Sequence, residues 1–587
     1  MVTLSNAISS SRSAIPASYR QSLGVVGLVP RGVDSLQQLE DKAYAALSSK
    51  TDQVDRYMFL SYIRNTNVDL FFRLVLKHLH EFAPVVYTPT IGDVCLNFSD
   101  LYPFMAPPGK IEGMYISIDQ VDSIDEICSN YMKNAPGALT PEITVITDGS
   151  RILGLGDLGL NGMGIPIGKL QLYVAGAGLD PNRCLPIVLD FGTNTETYLN
   201  DPNYLGLKKH RPDDDKFYEC IDKVLKGLHR NFPKMFIQFE DFSGDHAFGI
   251  LEKYRNEYLC FNDDIQGTGS VIMSGFINAI KQSGVDPLNH RILFSGAGSA
   301  AVGVADSLVE YLVFDQGISY EEARSKFWLV DTKGLVTSNR GDKLANHKVH
   351  FARTDNGDLQ CKDLLEAINY VKPTAIIGLS TSHGQFTPEI ISRITELNNP
   401  NRPIIFPLSN PESKAECTFA DAMKYSNNTV VFASGTAFPD YTIPGTDITR
   451  VPGQGNNMYV FPAIGLGAVL ASPLHVTNSM IYSISKALSN SLTDEETKAD
   501  FLYPDLDRLR DVSAELTSAF IHQAVAEGLS RDQFWVDLAS KSACNGPAPT
   551  KEKPTGCYSQ EVLAAVKERM WSPLESLDSA NALRSNM

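Results

Sequence analysis

The chain has 587 residues, 43% hydrophobic and 20% charged, which is enough apolar material for several domains and gives no sign of disorder. Its 51 Lys and Arg against 68 Asp and Glu leave a net charge of −17, which excludes broad binding to nucleic acid or anionic membranes but not a local basic pocket. Nine cysteines, an odd number with no C-x-x-C pair, argue against a disulfide framework or thiolate zinc site and favour a reducing compartment, and no run of about twenty apolar residues is present to span a bilayer.

Residues 1–18 read as flexible, and from Tyr19 to Leu79 apolar residues recur at helical spacing, as in DRYMFLSYIRNTNVDLFFRLVLKHL. This predicts a helical N-terminal region, either an interface between subunits or a cap on the main core. FAPVVYTPT (82–90) ends it, with Tyr87 between a β-branched run and a turn, a place where tyrosine more often packs than reacts.

From Met114 to Asp190 the pattern changes to strands and short helices. ITVITDG reads as a strand and turn, and RILGLGDLG as a second strand and turn. GLGDLG fits G-x-G-x-x-G, but glycine and Pro166 follow instead of a clean helix, so it is not read as a nucleotide loop. Arg151 and Lys169 are the polar residues of interest. Lys169 is placed near the start of a helix carrying an amphipathic LQLYVA run, where the dipole opposes its charge; that is either a small cost at a solvated surface or a means of lowering its pKa for base work. RCLPIVLDFGTNT (183–195) is another buried strand, and 200–230 is polar and helical.

Two acidic pairs follow, Glu240-Asp241 in FIQFEDF and Asp263-Asp264 in CFNDDIQGT, each directly after a short apolar run. Carboxylates from two segments at the mouth of a sheet suit a hard divalent cation such as Mg²⁺ or Mn²⁺; the bland alternative is a pair of solvated loops.

HRILFSGAGSAAVGVADSLVEYLV (290–313) reads as strand, glycine turn and helix. Gly296 and Gly298 take the first two fingerprint positions, Ala301 replaces the third glycine, and Ser299 and Ala300 open the helix. KFWLVD (326–331) ends in Asp331, where an acid meets the adenosine ribose, and the phosphates would lie at the helix N-terminus. Further strands at 373–380, 402–411 and 428–438 predict a parallel sheet of Rossmann type, and GQGNNMYVFPAIGLGAVL (453–470) returns to an apolar helix. The tail from Asp494 reads as helical and polar.

YTPT, TDGSRILGLGDLG, GMGIPIGK, QFEDF, FNDDIQGT, GAGSAA, LSNP, FASG and GQGNN occur here in one order, and together they resemble the malic enzymes, oxidative decarboxylases of L-malate. The resemblance runs from about Tyr19 to the 520s. It implies Glu240, Asp241 and Asp264 as ligands of Mg²⁺ or Mn²⁺, Lys169 as general base for the malate hydroxyl with Asp263 beside it, and Tyr87 as the acid that protonates the enol. It implies Arg151, Asn410 and Asn457 as carboxylate-holding groups, and a dimer or tetramer. Lys348 falls where NADP-using members carry a lysine facing the 2′-phosphate, so NADP is expected and NAD is the alternative; a surface lysine in a charged loop is the bland reading.

The expected fold is α/β: a helical N-terminal domain (1–105), an α/β domain carrying metal and substrate residues (106–262 with 457–528), a Rossmann-type NAD(P) domain that includes Gly296, Gly298, Asp331, Lys348 and Asn410 (263–456), and a tail (529–587). Arg12, Arg20, Arg31 and several serines precede the first acid, Asp34, a composition that can mark a transit peptide. The segment resembling the folded region begins at Tyr19, which leaves little room for one, so a cytoplasmic enzyme is expected, with a mitochondrial one the alternative. Two competing functions share these features: a lyase converting malate to lactate, and a catalytically silent nucleotide-binding regulatory subunit.

Overall fold

The computed structural model describes residues 20–21, 24–135 and 139–573; the expectation for 1–18 lies outside them. The described chain forms two compact units. One takes the residues up to 246 with 258–260 and those from 567; the other takes 247–257 and 261–566.

The first unit begins with six helices: Leu36–Ser48 (α1), Gln53–Thr66 (α2), Val68–Lys77 (α3), Leu79–Val86 (α4), Thr90–Leu96 (α5) and Phe98–Met105 (α6). Their starts are written in the sequence. Ser35 and Gln38 form a capping box on α1, and the Asp52 carboxylate accepts the Asp55 N–H at the start of α2. The apolar stripe puts Tyr57, Leu60, Phe71, Phe72, Val75 and Phe82 in the core, each large side chain contributing about 1.5–3 kcal/mol of transfer free energy.

Four strands follow: Met114–Ser117 (β1), Ile143–Thr147 (β2), Cys184–Asp190 (β3) and Phe236–Phe239 (β4). They pair in parallel in the order β1-β3-β2-β4, and the short strand Cys260–Asn262 (β5) lies beyond β4 where the chain leaves this unit. The crossover helices are Ile124–Asn134 (α7), Gly164–Ala177 (α8) and Asp214–Asn231 (α9). Every residue of α8 is buried. Two readings are corrected here. Lys169 is the sixth residue of a helix that begins at Gly164, so the helix-start argument does not apply, and LQLYVA is apolar on all sides because the helix is covered all round. RILGLGDLG forms turns joined by one bridge, Ile152 to Gly156, and no strand; its glycines serve a folded-back loop.

The second unit is built on a sheet ordered β14-β11-β10-β9-β6-β7-β8. Its strands are Ile292–Ser295 (β6), Phe327–Asp331 (β7), Gly334–Leu335 (β8), Ala375–Gly378 (β9), Ile404–Pro407 (β10), Val431–Ser434 (β11) and Gly453–Gln454 (β14), all parallel to their neighbours except β8; a separate two-stranded sheet pairs Tyr441–Thr442 (β12) with Thr449–Arg450 (β13). The strand order turns back on either side of β6, the doubly wound arrangement expected for a dinucleotide fold. Gly244–Tyr254 (α10) follows β4, and Thr268–Ser283 (α11) and Ser299–Gln316 (α12) follow β5 and β6 in sequence. Leu364–Val371 (α13), Pro388–Asn398 (α14) and Phe419–Tyr425 (α15) send Ile368, Ile391 and Phe419 into a core with Leu293, Ile376 and Phe432.

The helices Phe461–Ala471 (α16), Asn478–Asn490 (α17) and Leu509–Ala526 (α18) belong to this unit, where α16 and α17 pack on α18 and α11 packs on α17. The sequence reading grouped 457–528 with 106–262. An apolar helix buries against whatever apolar face adjoins it, and its own pattern carries no record of which sheet that is. The tail is less polar than read: α18 is largely buried, and Gln533–Lys541 (α19) and Gln560–Arg569 (α20) bury Trp535, Val562 and Val566.

Gly227 of α9 tests the packing of this helix in the first unit. A Cβ there would lie 2.4 Å from Ile124 Cγ2 on α7. Alanine gains about 1 kcal/mol in helix propensity, while overpacking costs about 1–3 kcal/mol. Gly227→Ala is therefore expected to lower the thermal unfolding midpoint; a raised midpoint would show that Ile124 yields freely.

Candidate active site and nucleotide site

In the first unit the mouth of the sheet gathers four of the expected residues. Tyr87 caps the end of α4, Lys169 lies in α8, and Glu240 and Asp241 follow β4. Lys169 Nζ is 2.8 Å from Glu240 Oε1, and both side chains are almost wholly buried. The Tyr87 hydroxyl donates to the same oxygen at 3.4 Å, and the lysine nitrogen sits 5.0 Å from the centre of the tyrosine ring. The second carboxylate oxygen accepts from Gln238 Nε2 at 2.5 Å, and Gln238 accepts in turn from the Tyr173 hydroxyl. Gly168 allows this approach: a Cβ there would fall 2.8 Å from the Val86 carbonyl and 2.9 Å from the Tyr87 ring.

Burial pushes the Tyr87 hydroxyl well above its usual pKa, and Glu240 and Asp241 push it further against the opposing pull of Lys169. Tyr87 is therefore a proton holder at neutral pH. Asp241 adopts a left-handed backbone conformation (φ 54°), uncommon for a residue with a Cβ. Its carbonyl accepts the Arg151 N–H at 3.2 Å, which ties the loop after β2 to the turn after β4; the Arg151 side chain is exposed.

In the second unit Asp263 opens the turn Asp263–Gly267 and is fully buried, while Asp264 is half-buried. Asn457 Nδ2 donates to Asp263 Oδ2 at 3.1 Å and to its carbonyl at 3.2 Å. A Cβ at Gly267 would lie 1.8 Å from Asp263 Oδ1, so this position must be glycine for Asp263 to keep its place. Asn410 is exposed just past β10.

The nucleotide turn is built on two glycines with different tasks. Gly296 has φ 115° and a Cβ there would meet the Leu379 carbonyl at 2.6 Å, so it permits a tight turn against the end of β9. Gly298 caps α12 with open space where a Cβ would be, leaving the N–H groups of Ser299 and Ala300 at a helix start suited to phosphate. Ala301 is fully buried, the close-packing position of the fingerprint.

Asp331, at the end of β7, accepts two bonds from Arg340 at 2.8 and 3.0 Å and one from Lys348 Nζ at 2.7 Å. Arg340 also holds Asp342, which pairs with Lys333. Arg340 went unnoticed in the sequence; the available signal was an arginine shortly after the ribose acid, a recognised phosphate partner in dinucleotide folds. The cluster counts three cations, Lys333, Arg340 and Lys348, against two acids.

A family model described as the malic enzyme N-terminal domain matches residues 64–255, and one described as the malic enzyme NAD binding domain matches 265–525. An NADP-dependent malic enzyme of Dictyostelium discoideum is 45% identical over 87% of this chain and 91% of its own length. A mitochondrial NAD-dependent malic enzyme of Ascaris suum is 40% identical over 85% and 75% of the two chains, and NADP-dependent malic enzyme 3 of Arabidopsis thaliana is 38% identical over 84% and 81%. The crystal structure of Entamoeba histolytica malic enzyme shares the fold, with a TM-score of 0.52 at 20% identity over 92% of this chain and 93% of that one. Among the described residues, no helix is long and apolar enough to cross a membrane.

Burial works to raise the Asp331 carboxyl, but the bonds from Arg340 and Lys348 outweigh it and bring it to about 2. A carboxylate held low stabilises the fold above its unfolded value of about 4, and that contribution is lost as pH falls through about 2. Asp331→Asn is expected to lower the unfolding midpoint at about pH 5, with the gap to the unsubstituted protein narrowing toward about pH 3. A gap independent of pH would contradict the assignment.

Proposed function

This chain belongs to the malic enzyme family, and on that premise we propose that it oxidatively decarboxylates L-malate to pyruvate and CO₂, using NADP⁺ in preference to NAD⁺ and a divalent cation. The observation that carries the reading is the contact of Lys169, Tyr87 and Glu240 at one sheet mouth, which puts a base, an acid and a carboxylate within reach of one another.

The donor chemistry fits the cation. Glu240 and Asp241 are two buried carboxylates beside one lysine, an excess of negative charge built from hard oxygen donors. Glu240, Asp241 and Asp264 are the residues proposed to hold Mg²⁺ or Mn²⁺. When bound, the cation would polarise the C2 oxygen as a Lewis acid and the nicotinamide would accept the C2 hydride.

The protein's own groups move the protons. Lys169, screened from water and oriented by Glu240, takes the proton of the C2 hydroxyl as the neutral amine, the form that a cation on Glu240 and Asp241 would favour; Asp263, held by Asn457, is the acid proposed to assist it. Tyr87 keeps its proton until decarboxylation leaves an enolate, a base strong enough to take it at C3. Arg151, Asn410 and Asn457 hold the malate carboxylates, Arg151 by the planar fork that matches a carboxylate.

The preference for NADP⁺ rests on the cluster around Asp331. With Arg340 and Lys348 both bonded to it, this carboxylate is engaged by cations instead of open to a ribose hydroxyl, and the surplus positive charge favours a 2′-phosphate.

The test is nicotinamide reduction with L-malate and Mn²⁺, comparing NADP⁺ with NAD⁺ and assaying pyruvate and lactate. Pyruvate with faster NADP⁺ reduction is expected. Lactate without net reduction would make the protein a lyase, and no product with intact nucleotide binding would make it a silent subunit. Lys169→Ala is expected to lower kcat by about 100- to 10,000-fold with nucleotide affinity unchanged; normal turnover would remove the base assignment. Lys348→Gln is expected to reduce the NADP⁺ over NAD⁺ preference by about 10- to 100-fold, the loss of one charge-assisted bond; an unchanged preference would remove the lysine from the argument.

A further inference from the structure

The loop that carries Arg151 is closed by an arginine far along the chain. Arg211 donates from Nη1 to Asp148 Oδ2 at 3.0 Å and from Nη2 to the Asp148 carbonyl at 2.9 Å, where the loop leaves β2. It donates from Nε to Asp157 Oδ2 at 3.0 Å and from Nη2 to Asp157 Oδ1 at 2.7 Å, at the other end of the loop. The Asp148 side chain is 1% exposed, that of Arg211 12% and that of Asp157 17%. One planar guanidinium thus joins both ends of the loop with four bonds at fixed angles, a task for which an ammonium lacks both the donors and the geometry.

The bonds continue from there toward the carboxylates of the sheet mouth. The second oxygen of Asp148 accepts the Ser150 N–H at 3.0 Å and its hydroxyl at 2.6 Å. Ser150 Oγ accepts the Ser243 N–H at 2.8 Å, and the Arg151 N–H donates to the Asp241 carbonyl. A continuous run of bonds therefore links Arg211 through Asp148 and Ser150 to the turn that carries Glu240 and Asp241, with Arg151 seated on it. Asp157 is anchored on its far side by the N–H groups of Gly159 and Asn194. Six of the eight residues between Asp148 and Asp157 are leucine, isoleucine or glycine, which cannot hold the loop by side-chain hydrogen bonds.

We propose that Arg211 is a positioning residue for substrate binding: it sets the Arg151 loop against the Glu240–Asp241 turn and so fixes where a dicarboxylate is held. The inference rests on the assignment of Arg151 to a malate carboxylate made above.

The test is a double-mutant cycle of Arg211→Lys and Arg151→Gln, with KM for malate, KM for NADP⁺, kcat and the thermal midpoint measured for each protein. Arg211→Lys is expected to raise KM for malate about tenfold, since small misplacements of a binding group are felt strongly, while KM for NADP⁺ stays within about twofold. In the Arg151→Gln background it is expected to add little further, because it acts through Arg151. A lowered midpoint with KM for malate unchanged, or an equal effect in both backgrounds, would overturn the inference. If Arg151→Gln itself leaves KM for malate unchanged, the assignment of Arg151 fails, a result distinct from failure of Arg211 alone. Should Arg211→Lys not fold, Ser150→Ala cuts the link to Ser243 and leaves both ion pairs: a raised KM for malate supports the inference, and an unchanged one overturns it.

Discussion

Lys169 and Glu240 are both ionisable and both shut away from water, and a charge so placed persists only when it is matched. Removing one partner of such a pair typically costs about 3–5 kcal/mol, because the other is left buried and uncompensated. The surroundings follow from that constraint. Gln238 satisfies the second oxygen of Glu240, and Tyr173 satisfies Gln238. Gly168 removes the side chain that would hold α8 away from Tyr87. Even the burial of α8 on every side serves the pair, since an exposed face would let water screen it.

Much of this was legible in the sequence, and the limits have physical causes. Strands β2, β3, β6 and β10 were visible because a short apolar run ending in polar residues has few other readings, and the glycine turn at 296–298 because its φ and close approach admit little else. Tyr87, Lys169 and Glu240 stand out one by one, and the family resemblance sets Lys169 near Tyr87, yet the contact of both with Glu240 is not legible, because it joins segments far apart in the chain. Lys169 was misplaced at a helix start because the glycines before it read as loop, when Gly164 and Gly168 are helical and make room for their neighbours. The helices after 457 look the same whichever sheet covers them. Arg211 stands 63 and 54 residues from Asp148 and Asp157, acids that only the folded chain brings to it, whereas Arg340 stands nine residues after Asp331 and two before Asp342, so its pairing is open to a reading of that loop.

The two arginines also show what a mostly covered guanidinium does in this fold. At Asp331 a fork and an ammonium together occupy a carboxylate that in a free state would be an acceptor for a hydroxyl. At Asp148 and Asp157 a single fork closes a loop whose apolar and glycine residues offer no side-chain hydrogen bonds. In each case the planar group converts electrostatic attraction into geometry, fixing orientation as well as distance. Against a net charge of −17 the cluster at Asp331, with three cations to two acids, is a local reversal of the overall field.

Tyr87 shows why the same burial that stabilises the pair also suits the chemistry. In the role proposed for it Tyr87 waits for an enolate, and should not lose its proton to water or to a nearby base beforehand. Burial raises its pKa, and the carboxylates of Glu240 and Asp241 raise it further, because a phenolate there would face two negative charges. Lys169 pulls the other way, close enough to the ring to lessen the penalty as charge develops on the oxygen. The acid is therefore weak toward solvent and less weak toward a substrate bound beside the lysine. A cation held, as proposed, by Glu240 and Asp241 would offset the two negative charges that oppose ionisation, leaving burial as the main force that keeps the proton on the tyrosine.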